Sequence, residues 1–265
     1  MFLPDEVDKI KKDGYSEANA EAKLCQDIII KAISQSSLKR SVTIKGGVVM
    51  RSLSKNARRA TQDLDLDFIR YSISEESIGI FIEKLNCIDG IHLRMAEPIE
   101  ELKHRDYKGK RIHIEISDDA GNVLSLKMDI GVHKDLDIEQ EEYCFDVCFQ
   151  EDSANVLINS REQMVTEKLK SLLRFGTRST RYKDVFDICY LSDFVDMEKL
   201  RLCIKKYIYA DATIDVNDEA EIKKRTERVF YSSTFKKQLE RSKKNWLDLS
   251  VDEVMKKNLE FLYKI

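Results

Sequence analysis

In the stretch Thr61-Gln62-Asp63-Leu64-Asp65-Leu66-Asp67-Phe68, acidic and apolar residues alternate strictly from Asp63 onward. Because alternate residues of a β-strand share a face, this pattern predicts a strand with its three carboxylates on one side and its apolar side chains in the core. Neighbouring carboxylates about 7 Å apart repel by about 2 kcal/mol at an effective dielectric of about 20. A divalent cation such as Mg²⁺ would relieve that repulsion, since it takes carboxylate and phosphate oxygens. A solvated polar face is the alternative interpretation.

Two further segments carry the same kind of signal. Lys45-Gly46-Gly47 follows a predicted strand at Val42–Lys45 and precedes a possible helix at residues 48–53. Glycines at such a position let backbone N–H groups approach a phosphate, although a simple turn is the alternative. The other segment is an apolar strand at residues 123–132 that is interrupted by one acid, Asp129. This acid lies on the opposite face from the apolar residues of that strand.

Hydrophobic periodicity predicts mixed structure up to about residue 158 and helices after it. Helices are predicted at residues 16–32 and 74–87, strands at 64–69, 91–95 and 111–117, and an antiparallel hairpin across the turn at 118–122. Helical spacing then recurs at residues 161–174, 182–194, 197–209, 218–231, 234–244 and 251–263. The sequence therefore predicts an α+β fold with a mixed-sheet domain at residues 1–158 and an all-helical domain at 159–265.

Composition excludes several classes of protein. The chain has 265 residues, 45 basic and 48 acidic, with 42% hydrophobic residues, which argues against disorder. It has no apolar stretch of roughly 18 residues, and residues 1–15 are too polar for a signal peptide, so we expect a cytosolic protein without a membrane segment. The six cysteines form no CxxC pair and are expected to be buried free thiols, Cys144 and Cys148 included.

Charge is distributed unevenly along the chain. Residues 161–265 contain 23 basic and 18 acidic residues, whereas residues 1–160 contain 22 and 30. Nine of the cations fall within residues 222–244, and Tyr231, Phe235 and Trp246 lie within or beside this run. Cations that hold phosphates and aromatic rings that stack on bases are typical of an RNA-binding surface. The alternative is a solvated Lys-rich helix whose aromatic residues face the core.

The order of these motifs resembles the nucleotidyltransferase superfamily with the polymerase β-like fold. That superfamily has a strand followed by a glycine turn, then an Asp-x-Asp motif, then a third acid on a later strand. The three motifs occur in the same order here. The run Arg59-x-Thr61-x-Asp63-Leu64-Asp65-Leu66, followed by Glu167-Lys168-Leu169 and Arg181-x-Lys183-Asp184-x-x-Asp187, resembles more narrowly the AbiEii-type nucleotidyltransferase toxins. These are the toxin halves of abortive-infection and type IV toxin–antitoxin pairs. The superfamily often has Gly-Ser at the Gly-Gly position, so one phosphate-binding hydroxyl is missing here while the backbone donors remain.

The resemblance implies a role for each matching residue. Asp63, Asp65 and Asp129 would hold Mg²⁺ (or Mn²⁺), and Asp129 would lie near the attacking hydroxyl and assist its deprotonation. Asp184 would orient Lys168 or a substrate hydroxyl. The residues expected to contact the nucleotide are Lys45, Gly46, Gly47, Arg59, Thr61, Lys168 and Lys183.

The expected function is metal-dependent transfer of a nucleoside monophosphate from an NTP to a hydroxyl, at the 3′ end of an RNA such as tRNA. The resemblance also implies a cognate antitoxin encoded nearby. Two alternatives stay open: a non-catalytic nucleotide- or RNA-binding protein of the same fold, and a phosphotransferase that acts on a protein hydroxyl. No residue pattern identifies the NTP.

Overall fold

A computed structural model describes residues 1–104, 107–150 and 152–265 of the chain. These residues divide into two compact units, Met1–Asn159 and Ser160–Ile265. The boundary lies one residue from that of the two expected domains. A mixed sheet with helices makes up the first unit and helices the second, so the predicted α+β class is confirmed.

An eight-stranded sheet forms the centre of the first unit. Its strands are β1 (Val42–Lys45), β2 (Leu64–Ile69), β3 (Ile91–Met95), β4 (Glu100–His104), β5 (Tyr107–Asp118), β6 (Val123–His133), β7 (Glu141–Phe145) and β8 (Ala154–Ile158). The order is β3-β5-β6-β2-β1-β8-β7, and β4 pairs with β5. β2 runs parallel to β6 and β1 runs parallel to β8, whereas the other pairs are antiparallel. The sheet is therefore mixed, with β2 near its middle.

Four α-helices accompany this sheet in the described residues of the first unit: α1 (Leu3–Lys12), α2 (Glu17–Gln35), α3 (Gly46–Ser54) and α4 (Glu75–Leu85). Serine caps α4, because Ser74 Oγ accepts a hydrogen bond from the Ser77 N–H. α2 is long and deeply buried, with Leu24, Ile28 and Ile29 fully excluded from solvent. A 3₁₀ turn, Ala57–Arg59, leads from α3 towards β2.

The second unit contains the six predicted helices and, among its described residues, no strand. The helices are α5 (Arg161–Phe175), α6 (Tyr182–Leu191), α7 (Met197–Ile204), α8 (Glu219–Phe230), α9 (Ser233–Arg241) and α10 (Val251–Leu262). α7 continues as a π-helical turn, Lys205–Tyr209, and a 3₁₀ turn, Gly176–Arg178, follows α5. Taken over the described parts of both units, none of the helices combines the length and the apolar character needed to cross a bilayer.

Several details differ from the sequence prediction. The patterns miss α1, β4, β7 and β8, and β5 begins at Tyr107 rather than at residue 111. The prediction that all cysteines are buried is wrong: Cys144 and Cys87 are exposed and Cys148 is half-buried. β7 is the last strand in the order, and it ends at Phe145, whose side chain is buried. Alternation along this edge strand therefore turns Cys144 to solvent.

Candidate active site

Strand register brings two of the predicted acids together. Asp65 on β2 is the direct partner of Asp129 on β6 in a parallel pair. Asp65 is also the partner of Lys45 on β1, in an antiparallel pair. Adjacent strands lie about 4.8 Å apart, so these three residues form a row across the middle of the sheet.

The solvent exposure of the acidic side chains decreases along the acidic strand. Leu64, Leu66 and Phe68 are fully buried, as the alternation predicts. Asp63 comes immediately before β2, and its side chain is 47% exposed, with Oδ1 3.6 Å from Lys127 Nζ. Asp67, further along the same face, is only 4% exposed. The solvent-accessible acids are therefore those at the start of the strand.

The two glycines belong to a turn that touches the acidic segment. α3 begins at Gly46, whose φ of +71° is in the left-handed region that favours glycine. A Cβ on Gly46 would overlap Asp65 Oδ2, and a Cβ on Gly47 would lie 2.7 Å from Thr61 Oγ1. Both positions therefore require glycine. The first turn of α3, whose N–H groups have no partner within the helix, begins beside Asp65 and Thr61.

Asp67 has a structural partner. Its Oδ1 lies 2.7 Å from Lys45 Nζ, and the two side chains are 5% and 14% exposed. Burying a carboxylate costs free energy unless a cation compensates it, so this pair satisfies the one deeply buried acid of the strand. Lys45, which the sequence assigns to phosphate binding, is thus in contact with Asp67 in this structure.

Arg111 is a site residue that the motifs did not identify. It lies on β5 opposite Asp129 and forms a bidentate pair with it, Nε to Oδ1 at 2.7 Å and Nη2 to Oδ2 at 2.9 Å. These hydrogen bonds raise the pKa of Arg111 above its ordinary value. A bidentate Arg–carboxylate pair fixes orientation as well as charge. Arg111 on the neighbouring strand β5 therefore fixes the orientation of the Asp129 carboxylate.

Arg59 and Thr61 lie just before the acidic strand. Arg59 closes the 3₁₀ turn and is 4% exposed, so it is not a surface arginine. Thr61 is half-buried against Gly47. The carbonyls of Thr61 and Asp63 accept hydrogen bonds from Gln26 Nε2 at 3.0 and 3.2 Å. This segment is thus fixed through its backbone by a residue of α2.

The donors at this site suit a hard divalent ion. Asp65 and Asp129 offer carboxylate oxygens on adjacent strands, and the missing Cβ of Gly46 leaves room at Asp65 Oδ2. In the described residues, however, three ligand atoms within 4.8 Å of one another occur at Glu97, Glu100 and His113 rather than at the aspartates. Since Arg111 holds both oxygens of Asp129, joint coordination by Asp65 and Asp129 would require Asp129 to share or loosen that contact.

Within the second unit, the predicted residues form a buried cluster. Lys168 Nζ, on α5, lies 2.8 Å from Asp187 Oδ2 and 3.2 Å from Asp184 Oδ1, both on α6. The Lys168 side chain is 11% exposed and Asp187 is fully buried. Asp187 also accepts a hydrogen bond of 3.0 Å from Trp246 Nε1. Lys168 is therefore a buried, paired lysine, and Lys183 lies half-buried beside Asp184 in the first turn of α6.

The basic run is only partly the surface that the sequence predicts. Phe235 and Trp246 are 0% and 2% exposed, so their assignment as base-stacking residues is wrong, whereas Tyr231 is 71% exposed. Lys236 pairs with Asp252 at 2.5 Å, and Arg225 donates to the carbonyls of Ile214 and Asp215 at 2.8 Å. The basic residues of the run that are exposed are Lys224, Arg228, Lys237, Arg241, Lys243 and Lys244.

Comparison with known proteins places these motifs in a family. The model of a family described as "Nucleotidyl transferase AbiEii toxin, Type IV TA system" matches residues 28–256. A solved structure, an antigenic nucleotidyltransferase-like protein from Paracoccidioides brasiliensis, is similar over 80% of this chain and 97% of its own. The two chains share 16% sequence identity, and the TM-score is 0.42. No curated protein matches the chain.

Proposed function

The chain belongs to the AbiEii family of nucleotidyl transferase toxins of type IV toxin–antitoxin systems, and from that premise we propose that it moves a nucleoside monophosphate from an NTP to a hydroxyl with Mg²⁺ or Mn²⁺ as cofactor. One observation carries the proposal: the parallel register that sets Asp65 beside Asp129, next to the glycine turn. Carboxylates on adjacent strands beside a helix N-terminus combine a metal-binding set with a phosphate-binding set.

The proposed reaction uses the acidic strands and the glycine turn. Asp63, Asp65 and Asp129 would hold the divalent ion, which supplies neutralisation of charge on the triphosphate. The N–H groups of the turn at Gly46 and Gly47 bind phosphate oxygens. The acceptor hydroxyl attacks the α-phosphorus, the bond from that phosphorus to the bridging oxygen breaks, and pyrophosphate leaves. Asp129, oriented by its neighbour strand, accepts the proton of the attacking hydroxyl.

The second unit contributes cations in this proposal. Lys168 is assigned to the triphosphate, with Asp184 and Asp187 holding its ammonium in one orientation. Lys183 and Arg59 are assigned to the same substrate. Support for these roles comes from their places in the family motifs and, for Lys168, from a burial that an ordinary surface lysine does not have.

The acceptor is proposed to be the 3′ end of an RNA. Support comes from the exposed cations Lys237, Lys243 and Lys244, and from Tyr231 as a ring accessible to a base. The family pairs each toxin with an antitoxin, so a cognate antitoxin is the expected protein partner. A cytosolic location is part of the proposal, since NTPs and RNA acceptors are available there.

A labelling experiment tests the proposal. The protein is incubated with Mg²⁺, total RNA and each of the four NTPs, labelled in separate reactions at the α- or the γ-phosphate. We expect α-label in RNA and none with Asp65→Asn, while Glu83→Gln, at an exposed position on α4, retains activity. γ-Label in protein would favour the phosphotransferase, and no transfer with any NTP would favour the non-catalytic binder. Unchanged circular dichroism of Asp65→Asn shows that its fold is intact.

A further inference from the structure

A buried polar network lies behind the acidic segment. Gln26 and Asp27 on α2 and Arg51 on α3 are 0%, 2% and 5% exposed. Arg51 Nη1 donates to Gln26 Oε1, and Arg51 Nη2 lies 3.3 Å from Asp27 Oδ1. Groups of this kind are costly to remove from water unless every one of them is hydrogen-bonded. The network therefore has to be complete to be tolerated.

The amide nitrogen of Gln26 binds the backbone of the acidic segment. Its Nε2 donates to the carbonyls of Thr61 and Asp63 at 3.0 and 3.2 Å. Because Arg51 can only donate, the oxygen of the Gln26 amide must face Arg51 and its nitrogen must face the two carbonyls. The amide therefore cannot rotate without losing three hydrogen bonds. The backbone on both sides of residue 62 is fixed by a single side chain.

Asp27 anchors the network. Its Oδ2 accepts a hydrogen bond of 3.1 Å from the Cys148 N–H. The same oxygen forms an ion pair with Lys23 on the preceding turn of α2. Its other oxygen faces Arg51. Arg51 in turn belongs to the helix that begins at Gly46. One chain of hydrogen bonds thus connects the helix of the glycine turn, through Gln26, to the segment that carries Thr61 and Asp63.

We propose that Gln26 is a positioning residue for the metal and phosphate site. It sets the distance between the glycine turn and the start of the acidic strand, so that Asp63 and Asp65 meet the metal and Thr61 stays against Gly47. This inference rests on the proposed function. A purely structural role predicts loss of stability alone, whereas a positioning role predicts a loss of metal affinity in variants that remain folded.

The test uses two substitutions in the full-length protein. Gln26→Met removes all three hydrogen bonds with little change in volume, and Gln26→Glu keeps a partner for Arg51 but loses both donors to the carbonyls. Mn²⁺ affinity is measured by electron paramagnetic resonance without nucleotide, kcat and KM by α-label transfer, and folding by thermal unfolding. We expect both variants to remain folded and to lose about 10- to 100-fold in Mn²⁺ affinity, the range typical of residues that support metal ligands, with a fall in kcat as a consequence.

Asn86→Leu is the matched control. Asn86 Nδ2 also donates to two backbone carbonyls of the first unit, Ile82 at 3.1 Å and Leu93 at 3.0 Å, and β3 is three places from β2 in the sheet. We expect it to lower stability and leave Mn²⁺ affinity unchanged. Gln26 variants that lose no more Mn²⁺ affinity and kcat than Asn86→Leu would overturn the inference. Failure of the unmodified protein to bind Mn²⁺ would overturn the proposed function and the inference with it.

Discussion

Arg111 holds both carboxylate oxygens of Asp129, at 2.7 and 2.9 Å, from the neighbouring strand of the hairpin. The pair is 30% and 20% exposed, so water weakens it without removing it. A cation at this place has two effects on a metal site. It orients the carboxylate, and it competes with the metal for the same oxygens. The balance between these effects decides how Asp129 behaves when the metal binds.

Arg111→Gln tests that balance. We expect kcat to fall by about 10- to 100-fold, because Asp129 loses the two hydrogen bonds that orient it. Arg111→Lys keeps the charge but cannot form the bidentate contact, so its kcat should lie between that of Arg111→Gln and that of the unmodified protein. The measurement is α-label transfer at saturating Mg²⁺. An Arg111→Gln enzyme with unchanged kcat would show that the orientation of Asp129 does not limit the reaction.

Gly46→Ala should abolish transfer. The substitution adds a Cβ that overlaps Asp65 Oδ2 and also places alanine at a φ of +71°. Gly121→Ala is the control, because Gly121 has a φ of +85° and nothing within 4 Å of the added Cβ. Both variants should lose about 1 kcal/mol of stability from backbone strain, measured by urea unfolding, and Gly46→Ala should lose more because of the overlap with Asp65. Only Gly46→Ala should lose activity, and equal activities in the two variants would contradict the collision with Asp65.

Part of this site follows directly from the sequence. Alternation along β2 is enough to separate Asp65 from Leu64 and Leu66, because a strand has only two faces. The turn at residues 118–122 fixes the hairpin register, and that register places Arg111 opposite Asp129. The Arg111 contact could therefore have been predicted. The family resemblance drawn from the same motifs is confirmed.

Other parts depend on packing that no local pattern encodes. Gln26 contacts carbonyls 35 and 37 residues further along the chain, and nothing in the sequence of α2 indicates this. The error at Phe235 is different, since Phe235 and Leu239 are four residues apart and share the buried face of α9. Helical spacing should have placed Phe235 in the core even though lysines follow it. The assignment of the metal site to the first unit, and of further substrate and RNA contacts to the second, stays a prediction.

Stability should fall in acid through Asp118. Burial alone would raise the pKa of this carboxyl, but hydrogen bonds from the Leu3 N–H, from Asn122 and from the Ala120 N–H lower it from 3.8 to about 2. A carboxyl with a depressed pKa stabilises the fold above its unfolded pKa, and this contribution is lost as the pH falls from about 4 to about 2. Asp118→Asn should therefore be less stable at pH 7 and should lose less stability between pH 5 and pH 2.5. Parallel pH profiles for the two proteins, measured by denaturant unfolding, would contradict this assignment.

Asp187→Asn should destabilise the second unit. The carboxylate is fully buried, pairs with Lys168 at 2.8 Å and accepts from Trp246, so its removal leaves a buried ammonium poorly compensated. The expected loss is about 3 kcal/mol. Asp193→Asn removes a comparable pair with Lys257 whose side chains are 58% and 33% exposed, and it should cost less than about 1 kcal/mol. Thermal unfolding of both variants measures the difference, and similar losses would mean that the buried pair contributes no more than a surface pair.

Charge reversal at Lys237, Lys243 and Lys244 tests the proposed RNA surface. These lysines are exposed, whereas Lys236 is paired with Asp252 and is left unchanged so that the fold is not disturbed. Each phosphate contact that is lost should lower the slope of log affinity against log salt by about 0.7 for single-stranded RNA. Tyr231→Ala should weaken binding by about 1–3 kcal/mol if its ring stacks on a base. Reversal of Lys84, an exposed cation in the last turn of α4, is the control. Equal salt slopes for the triple variant, the control and the unmodified protein would place the RNA elsewhere on the molecule.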